Sequence, residues 1–211
     1  MMNMDGRDID EDHPVFEAIS ERLLGNLEQY LKDRPRPLLV PEFYTSVFEL
    51  DQVLKVLPNL ARVNKISITN RKPGSWNIEE LVKHEQWKNA EIIHIFDRNL
   101  VAEIRDFEGF EDVNLQFERM MVKEVMQWKE MITKSPKMKS GKINFKTSDA
   151  EAHFLRTHGP PSEDTDQFGD DRRNWFFRLP DEESVLQISF YKKWFRFARV
   201  ELKEVTGIVI E

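Results

Sequence analysis

The stretch His84–Ile95, HEQWKNAEIIHI, joins the end of a short helix directly to a strand. The residues EQWKNA are typical of a helix end. After them Ile93 and Ile95 flank the polar His94, which is the period-two pattern of a half-buried strand. A helix that runs straight into a strand predicts an α/β chain.

The same alternation recurs along the chain at intervals of about 22 to 30 residues, close to the length of a leucine-rich repeat. The expected strand centres are Ile66, Ile93, Leu115 and Phe145. Helical patterns lie between them, and the clearest is a stripe of Met121, Val125, Trp128 and Ile132 that ends before Pro136. The sequence therefore predicts a short, irregular leucine-rich-repeat-like solenoid, with parallel strands on one face and helices on the other.

Composition divides the chain into five segments. Residues 1–14 are polar and acidic and predict a disordered leader, and residues 15–37 predict an N-terminal helix. Residues 38–158 hold the repeat-like strand and helix units, and residues 159–174 read as an acidic loop. Residues 175–205 contain three apolar runs, which predict antiparallel strands that cap the open end of the solenoid.

Two helix signals precede the repeat-like units. The first is an amphipathic stripe of apolar residues at helical spacing, Phe16, Ile19, Leu23, Leu27 and Tyr30. The second is Ser46 with Glu49, a capping-box pattern that predicts the start of another helix.

Charge and composition exclude several classes of function. The chain has 211 residues, no cysteine and a net charge of −7. It therefore has no disulfide or thiol chemistry and no broad basic surface for nucleic acid. No apolar run is long enough to span a membrane and the N-terminus is acidic, so we expect a cytoplasmic or nuclear protein.

No catalytic or metal-binding pattern stands out. His153 and His158 are five residues apart, whereas a helical zinc pair needs a spacing of four. No Gly-x-Ser-x-Gly elbow is present, and paired carboxylates such as Glu79-Glu80 fall at helix starts. We expect neither an enzyme nor a bound cofactor or metal.

One constellation favours binding. If the strands pair in parallel, their outward side chains form a polar ladder across the open face of the sheet, a surface that solenoids use to bind proteins. It could also be simply a hydrated sheet face. The candidate residues are Lys65, Ser67, Thr69, His94, Phe96, Asn114, Gln116, Glu118, Lys142, Asn144 and Lys146.

Several stretches in one order resemble the FTH domain, which follows an F-box in a greatly expanded set of nematode F-box proteins. The resemblance covers roughly residues 27–202. It is carried by 27–32 (LEQYLK), 85–90 (EQWKNA), 107–111 (FEGFE), 128–130 (WKE), 157–161 (THGPP), 175–180 (WFFRLP), 185–190 (VLQISF) and 195–202 (FRFARVEL).

The resemblance implies a non-enzymatic domain that recruits protein substrates for a ubiquitin ligase. Only one amphipathic helix is predicted before Leu38, so we recognise no F-box, and a Skp1-type adaptor is an expected partner only if an F-box is present elsewhere. The alternative is a solenoid scaffold or RNA-associated adaptor unrelated to ubiquitin ligases. A local basic run, Lys134, Lys137, Lys139 and Lys142, is the feature that would contact RNA, although such runs are more often solvated loops.

Overall fold

A computed structural model of the protein describes residues 13–72, 75–97, 100–165, 171–181, 183–205 and 207–210. The predicted leader, residues 1–14, lies largely outside these ranges, but His13 and Pro14 belong to the first helix. The α-helices in the described residues are α1 (His13–Lys32), α2 (Leu50–Val56), α3 (Glu85–Asn89), α4 (Val122–Lys134) and α5 (Ala150–His158). Short 3-10 helices are Leu57–Asn59, Leu81–Lys83, Ile104–Phe107 and Leu202–Glu204.

Up to α5 the helices and strands are interspersed along the chain, and the strands from β10 to β13 then follow one another. They are β1 (Leu38–Leu39), β2 (Glu42–Val47), β3 (Leu60–Arg62), β4 (Lys65–Asn70), β5 (Trp76–Asn77), β6 (Ile92–Phe96), β7 (Leu100–Val101), β8 (Asp112–Arg119), β9 (Ser140–Thr147), β10 (Ser162–Thr165), β11 (Asp171–Arg178), β12 (Ser184–Phe190), β13 (Trp194–Glu201) and β14 (Val209–Ile210).

Ten of these strands form one mixed sheet, in the order β10-β11-β12-β13-β9-β8-β6-β4-β2, with β14 beside β11. Strands β2, β4, β6, β8 and β9 are parallel, and β10 to β13 are antiparallel. After β9 the chain crosses through α5 to the far edge and returns strand by strand to β9. The antiparallel strands thus extend the same sheet. The fold is mixed α/β, with β1–β3 and β5–β7 as two small separate pairs.

Strict alternation gives the parallel strands one apolar face and one mixed face. Ile66, Ile93 and Val113 lie directly beside one another in neighbouring strands, as do Ile68, Ile95, Leu115 and Ile143 in a second row. All seven are fully buried, because these rows form the inner face that packs into the core with the helices. The period-two prediction for these four strands is confirmed.

The row that contains Ile66, Ile93 and Val113 continues into the antiparallel strands at a glycine. Gly141 of β9 lies beside Phe197 of β13, and a Cβ on Gly141 would overlap the Phe197 ring and the Val113 side chain. The phenylalanine ring fills the space that a side chain would take. It stacks on Trp128 of α4, with ring centroids 5.5 Å apart. Helix and both kinds of strand therefore share one core.

Arg199 joins the two parts of the sheet with polar contacts. Its guanidinium donates hydrogen bonds to the carbonyl oxygens of Ile132 (2.5 Å), Ser135 (2.8 Å) and Met138 (3.0 Å). These carbonyls lie at and beyond the end of α4, where helix carbonyls lack partners within the helix. A strand of the antiparallel part thus caps the helix of the last parallel unit.

Two predicted elements are wrong, and both errors concern polar residues. Ser46 lies in β2 and does not cap a helix; the cap of α2 is Glu49, paired with Gln52. The acidic loop is in part sheet, because Ser162–Thr165 pairs with the start of β11. Asp164 there accepts a hydrogen bond from Arg172 (2.7 Å), which lowers the pKa of the Asp164 carboxyl. Residues 166–170 lie outside the described residues.

Helix α1 covers most of the predicted range 15–37 but ends at Lys32, and its apolar stripe faces outward. The five stripe residues, Phe16, Ile19, Leu23, Leu27 and Tyr30, are between 37% and 64% exposed. The adjacent side of the helix lies against α2, with Leu31 buried and Leu24 partly buried.

Candidate protein-binding face

All eleven predicted residues lie on the face of the sheet opposite the core, here called the outer face. The strand registers bring them into rows. Ser67, His94, Asn114 and Lys142 are direct neighbours across β4, β6, β8 and β9. Further pairs along the strands are Thr69 with Phe96 and Gln116 with Asn144. Lys65 lies at the start of β4, and Glu118 and Lys146 lie near the ends of β8 and β9. Glu118 and Lys146 form an ion pair of 2.8 Å.

Sequence reasoning missed several members of this face. Tyr44 of β2 lies beside Ser67 and is 58% exposed, and Glu42 lies beside Lys65. On the other side, Arg196 and Trp194 of β13 lie beside Lys142 and Asn144. The signal for β2 was present, since Glu42, Tyr44 and Ser46 alternate with Phe43, Thr45 and Val47.

Two of the lysines on the outer face lie against aromatic rings. The Lys65 Nζ is 5.1 Å from the centroid of the Tyr44 ring, and the Lys142 Nζ is 4.2 Å from that of Trp194. Among the described residues, neither lysine has a carboxylate within 4.0 Å. The contacts are cation–π pairs, which hold a lysine in place without neutralising its charge.

Aromatic stacking fixes the second pair. The ring of Tyr191, which is buried, stacks on Trp194 with centroids 3.4 Å apart and planes 13° from parallel. Lys142 therefore lies on a rigid two-ring stack. Next to it is a cavity of about 370 Å³ lined by Gln116, Phe117, Asn144, Phe145, Lys146, Lys193 and Trp194.

Acidic groups on this face are already paired. Asp112 accepts a hydrogen bond from Ser140 and lies 3.5 Å from the His94 Nε2, while Glu42 accepts one from the Tyr44 hydroxyl (2.6 Å). The pKa of Lys65 is raised mainly by its hydrogen bond with Tyr44, and the charges of Glu42 and Asp112 add to this shift. The cations of Lys65 and Lys142 therefore remain available to a ligand, whereas Asp112 and Glu42 already have partners.

The predicted basic run does not form a free cluster. Lys134 pairs with Glu130 at 2.6 Å, and Lys139 pairs with Glu111. Lys142 belongs to the outer face. Two of the four lysines are thus paired with carboxylates, and a third lies on a tryptophan ring, so the run does not present one continuous basic cluster to a phosphate backbone.

The histidines singled out in the sequence do not converge on a site. Burial lowers the pKa of His158, and the nearby charges of Lys129 and His153 lower it further. Its ring lies against Phe154 and Phe177, with centroids 5.3 Å and 5.0 Å away. Across the described part of the chain, no group of three or more acidic or histidine side chains is arranged to hold a metal ion.

A model of the FTH domain family matches residues 21–156, which is more than half of the chain. The chain therefore belongs to the FTH domain family, as the sequence resemblance indicated. No curated protein and no solved structure matches it. None of the helices in the described ranges has both the length and the apolar character that a bilayer-spanning segment requires.

Proposed function

We propose that this chain is a non-enzymatic protein-binding domain that holds a partner protein against the outer face of its sheet. The observation that carries the proposal is the cation–aromatic pair at each side of that face, Lys65 on Tyr44 and Lys142 on Trp194. Membership of an F-box-associated family supports a role in protein interaction.

The geometry of the outer face suits a protein rather than a small molecule. Neighbouring parallel strands lie about 4.8 Å apart, so the strands from β2 to β13 span roughly 24 Å from side to side. Exposed aromatics and cations across such a width resemble the composition of protein interfaces, in which tyrosine, tryptophan and arginine are enriched. In this proposal the parallel strand and helix units form a short, irregular leucine-rich-repeat-like solenoid, and their strands provide the binding surface.

The finer proposal is substrate recruitment for a ubiquitin ligase. The partner bound at the outer face would be the substrate, and a Skp1-type adaptor would join only through an F-box. Affinity purification from the cells that make the protein distinguishes recruitment to a ligase from binding of a partner protein alone. Adaptor and cullin together with a specific protein support recruitment to a ligase, whereas the specific protein alone supports a free-standing adaptor.

The outer face itself is tested by charge reversal. Lys65→Glu with Lys142→Glu is expected to reduce partner capture at least tenfold, because both anchoring cations become anions. The matched control is Lys123→Glu with Arg156→Glu, which makes the same change in net charge at exposed positions on α4 and α5. Circular dichroism checks that both variants are folded. Equal capture by the two variants would remove the outer face from the proposal.

RNA binding is measured on the same proteins. Salt-sensitive RNA binding that is lost in a variant with Lys137, Lys139 and Lys142 neutralised would favour the RNA-associated alternative. Retention of partner capture after ribonuclease treatment supports direct protein binding.

A further inference from the structure

The strongest unexplained surface is the apolar side of α1. Five large apolar residues, Phe16, Ile19, Leu23, Leu27 and Tyr30, are exposed along almost the full length of this helix. A stable monomer rarely exposes a continuous apolar stripe of this kind, so the stripe marks an interaction site. It lies on α1, not on the sheet, and is separate from the outer face.

Polar contacts hold α1 in this orientation. Glu21 pairs with Lys55 of α2 and accepts a hydrogen bond from Gln52 (3.3 Å), and Glu17 pairs with Lys72 at 3.2 Å. A roll of the helix that buried the stripe against α2 would break all three contacts. The stripe therefore faces away from the domain as a property of the folded chain.

The spacing of the stripe residues is the same when it is read from either end of the helix. The intervals between its residues are three, four, four and three. An antiparallel pair centred on Leu23 therefore places Leu23 against its own copy, Ile19 against Leu27, and Phe16 against Tyr30. In this arrangement every apolar residue of one helix faces an apolar residue of the other. The two copies are related by a two-fold axis, which is the symmetry of most homodimers.

The helix dipoles also favour the antiparallel arrangement, because they oppose one another when the two copies of α1 run in opposite directions.

We infer that two copies of this chain associate through an antiparallel pairing of their α1 helices, centred on Leu23. Given the exposed fractions, burial of the stripe removes roughly 500 Å² per copy, which is near the lower limit for a specific interface. Because this area is small, we expect a weak dimer that forms mainly at high protein concentration.

The absence of cysteine from the chain allows a direct test. Leu23→Cys is expected to give a disulfide-linked dimer on mild oxidation, because the two-fold axis places residue 23 opposite itself. Phe16→Cys alone and Tyr30→Cys alone are expected to remain largely uncrosslinked, and their mixture to crosslink. Self-crosslinking of Phe16→Cys that exceeds the mixture would overturn the antiparallel arrangement.

Sedimentation across 1–200 µM protein is the second measurement. The expected result is a concentration-dependent dimer that Leu23→Glu abolishes and that Leu155→Glu leaves unchanged. Leu155 is a suitable control because it is a similarly exposed leucine (52%) on another helix. A monomer at every concentration would overturn the inference. Hydrogen exchange would then show whether the stripe is covered by the chain itself or remains open to a different partner.

Discussion

Helices α1 and α4 carry similar apolar stripes with opposite outcomes. In α4 the residues Val125, Trp128 and Ile132 are fully buried, and Trp128 stacks between Phe107 and Phe197. In α1 the stripe is exposed. Helix α4 connects two neighbouring parallel strands, β8 and β9, so its apolar side covers their inner face. Helix α1 precedes the sheet and packs on α2. Spacing thus defines an apolar side, and chain connectivity decides what covers it.

The largest expected difference between the two helices is in core packing. Trp128→Ala should lower the free energy of unfolding by about 3–5 kcal/mol, because it leaves a large cavity among buried rings. Tyr30→Ala in α1 should change it by less than about 0.5 kcal/mol, because that side chain is exposed. Urea unfolding at low protein concentration measures both. Similar losses in the two variants would mean that α1 is buried in the monomer.

A second difference lies in how the helix end is held. Arg199→Met should lower the free energy of unfolding by about 2–3 kcal/mol, since three carbonyls around the end of α4 lose a charged donor. Arg199→Lys should recover part of this loss, because it restores one cation without the forked geometry. Chemical denaturation of both variants provides the measurement. An unchanged stability in Arg199→Met would show that water replaces the guanidinium without cost.

A pH dependence comes from His158 of α5, which lies near Lys129 of α4. The pKa of His158 is lowered from 6.5, chiefly by burial, and that of Lys129, whose Nζ lies 3.9 Å from the Phe177 ring centroid, is lowered by burial too. The unfolded chain therefore binds a proton at His158 more readily than the folded chain. Stability should fall as the pH decreases through 6.5 towards the lower pKa of the folded state. His158→Gln should remove this component from the pH dependence of the melting temperature. A component that persists in the variant would assign it to another group.

The smallest expected effect concerns the attachment of α1. Lys55→Met removes the ion pair between the partly buried Lys55 and the half-exposed Glu21, so the global loss should be about 0.5 kcal/mol. Hydrogen exchange should accelerate in α1 and not in α4. Lys134→Met, which breaks an ion pair within α4, is the matched control. Faster exchange throughout the chain in Lys55→Met would contradict the view that this ion pair holds only α1 in place.

Local pattern was sufficient to predict the strands whose two faces differ in polarity. Ile66 and Ile68, Ile93 and Ile95, and Val113 and Leu115 alternate with polar residues, and the inner side of each strand is apolar. The same alternation predicts that the eleven candidate residues share one face of the sheet, and the strand registers agree. Their role in binding stays a prediction.

The missed features depend on contacts between distant parts of the chain. Ser46 and Glu49 imitate a capping box and so predict a helix start at Ser46, whereas Ser46 lies near the end of strand β2, whose pairing with β4 fixes it in the sheet. Strand β10 is acidic, and Arg172 across the strand pair compensates Asp164. The Lys142–Trp194 pair joins residues 52 positions apart in the chain, a contact that no local pattern shows.

The most direct test of the outer face uses two tyrosines of nearly equal exposure, Tyr44 (58%) on β2 and Tyr30 (59%) on α1. A photo-crosslinking amino acid is placed at one or the other position, and the protein is irradiated in the cells that make it. We predict that the probe at position 44 captures a distinct partner protein and that the probe at position 30 does not capture that protein. Capture of the partner from position 30 and not from position 44 would contradict the account.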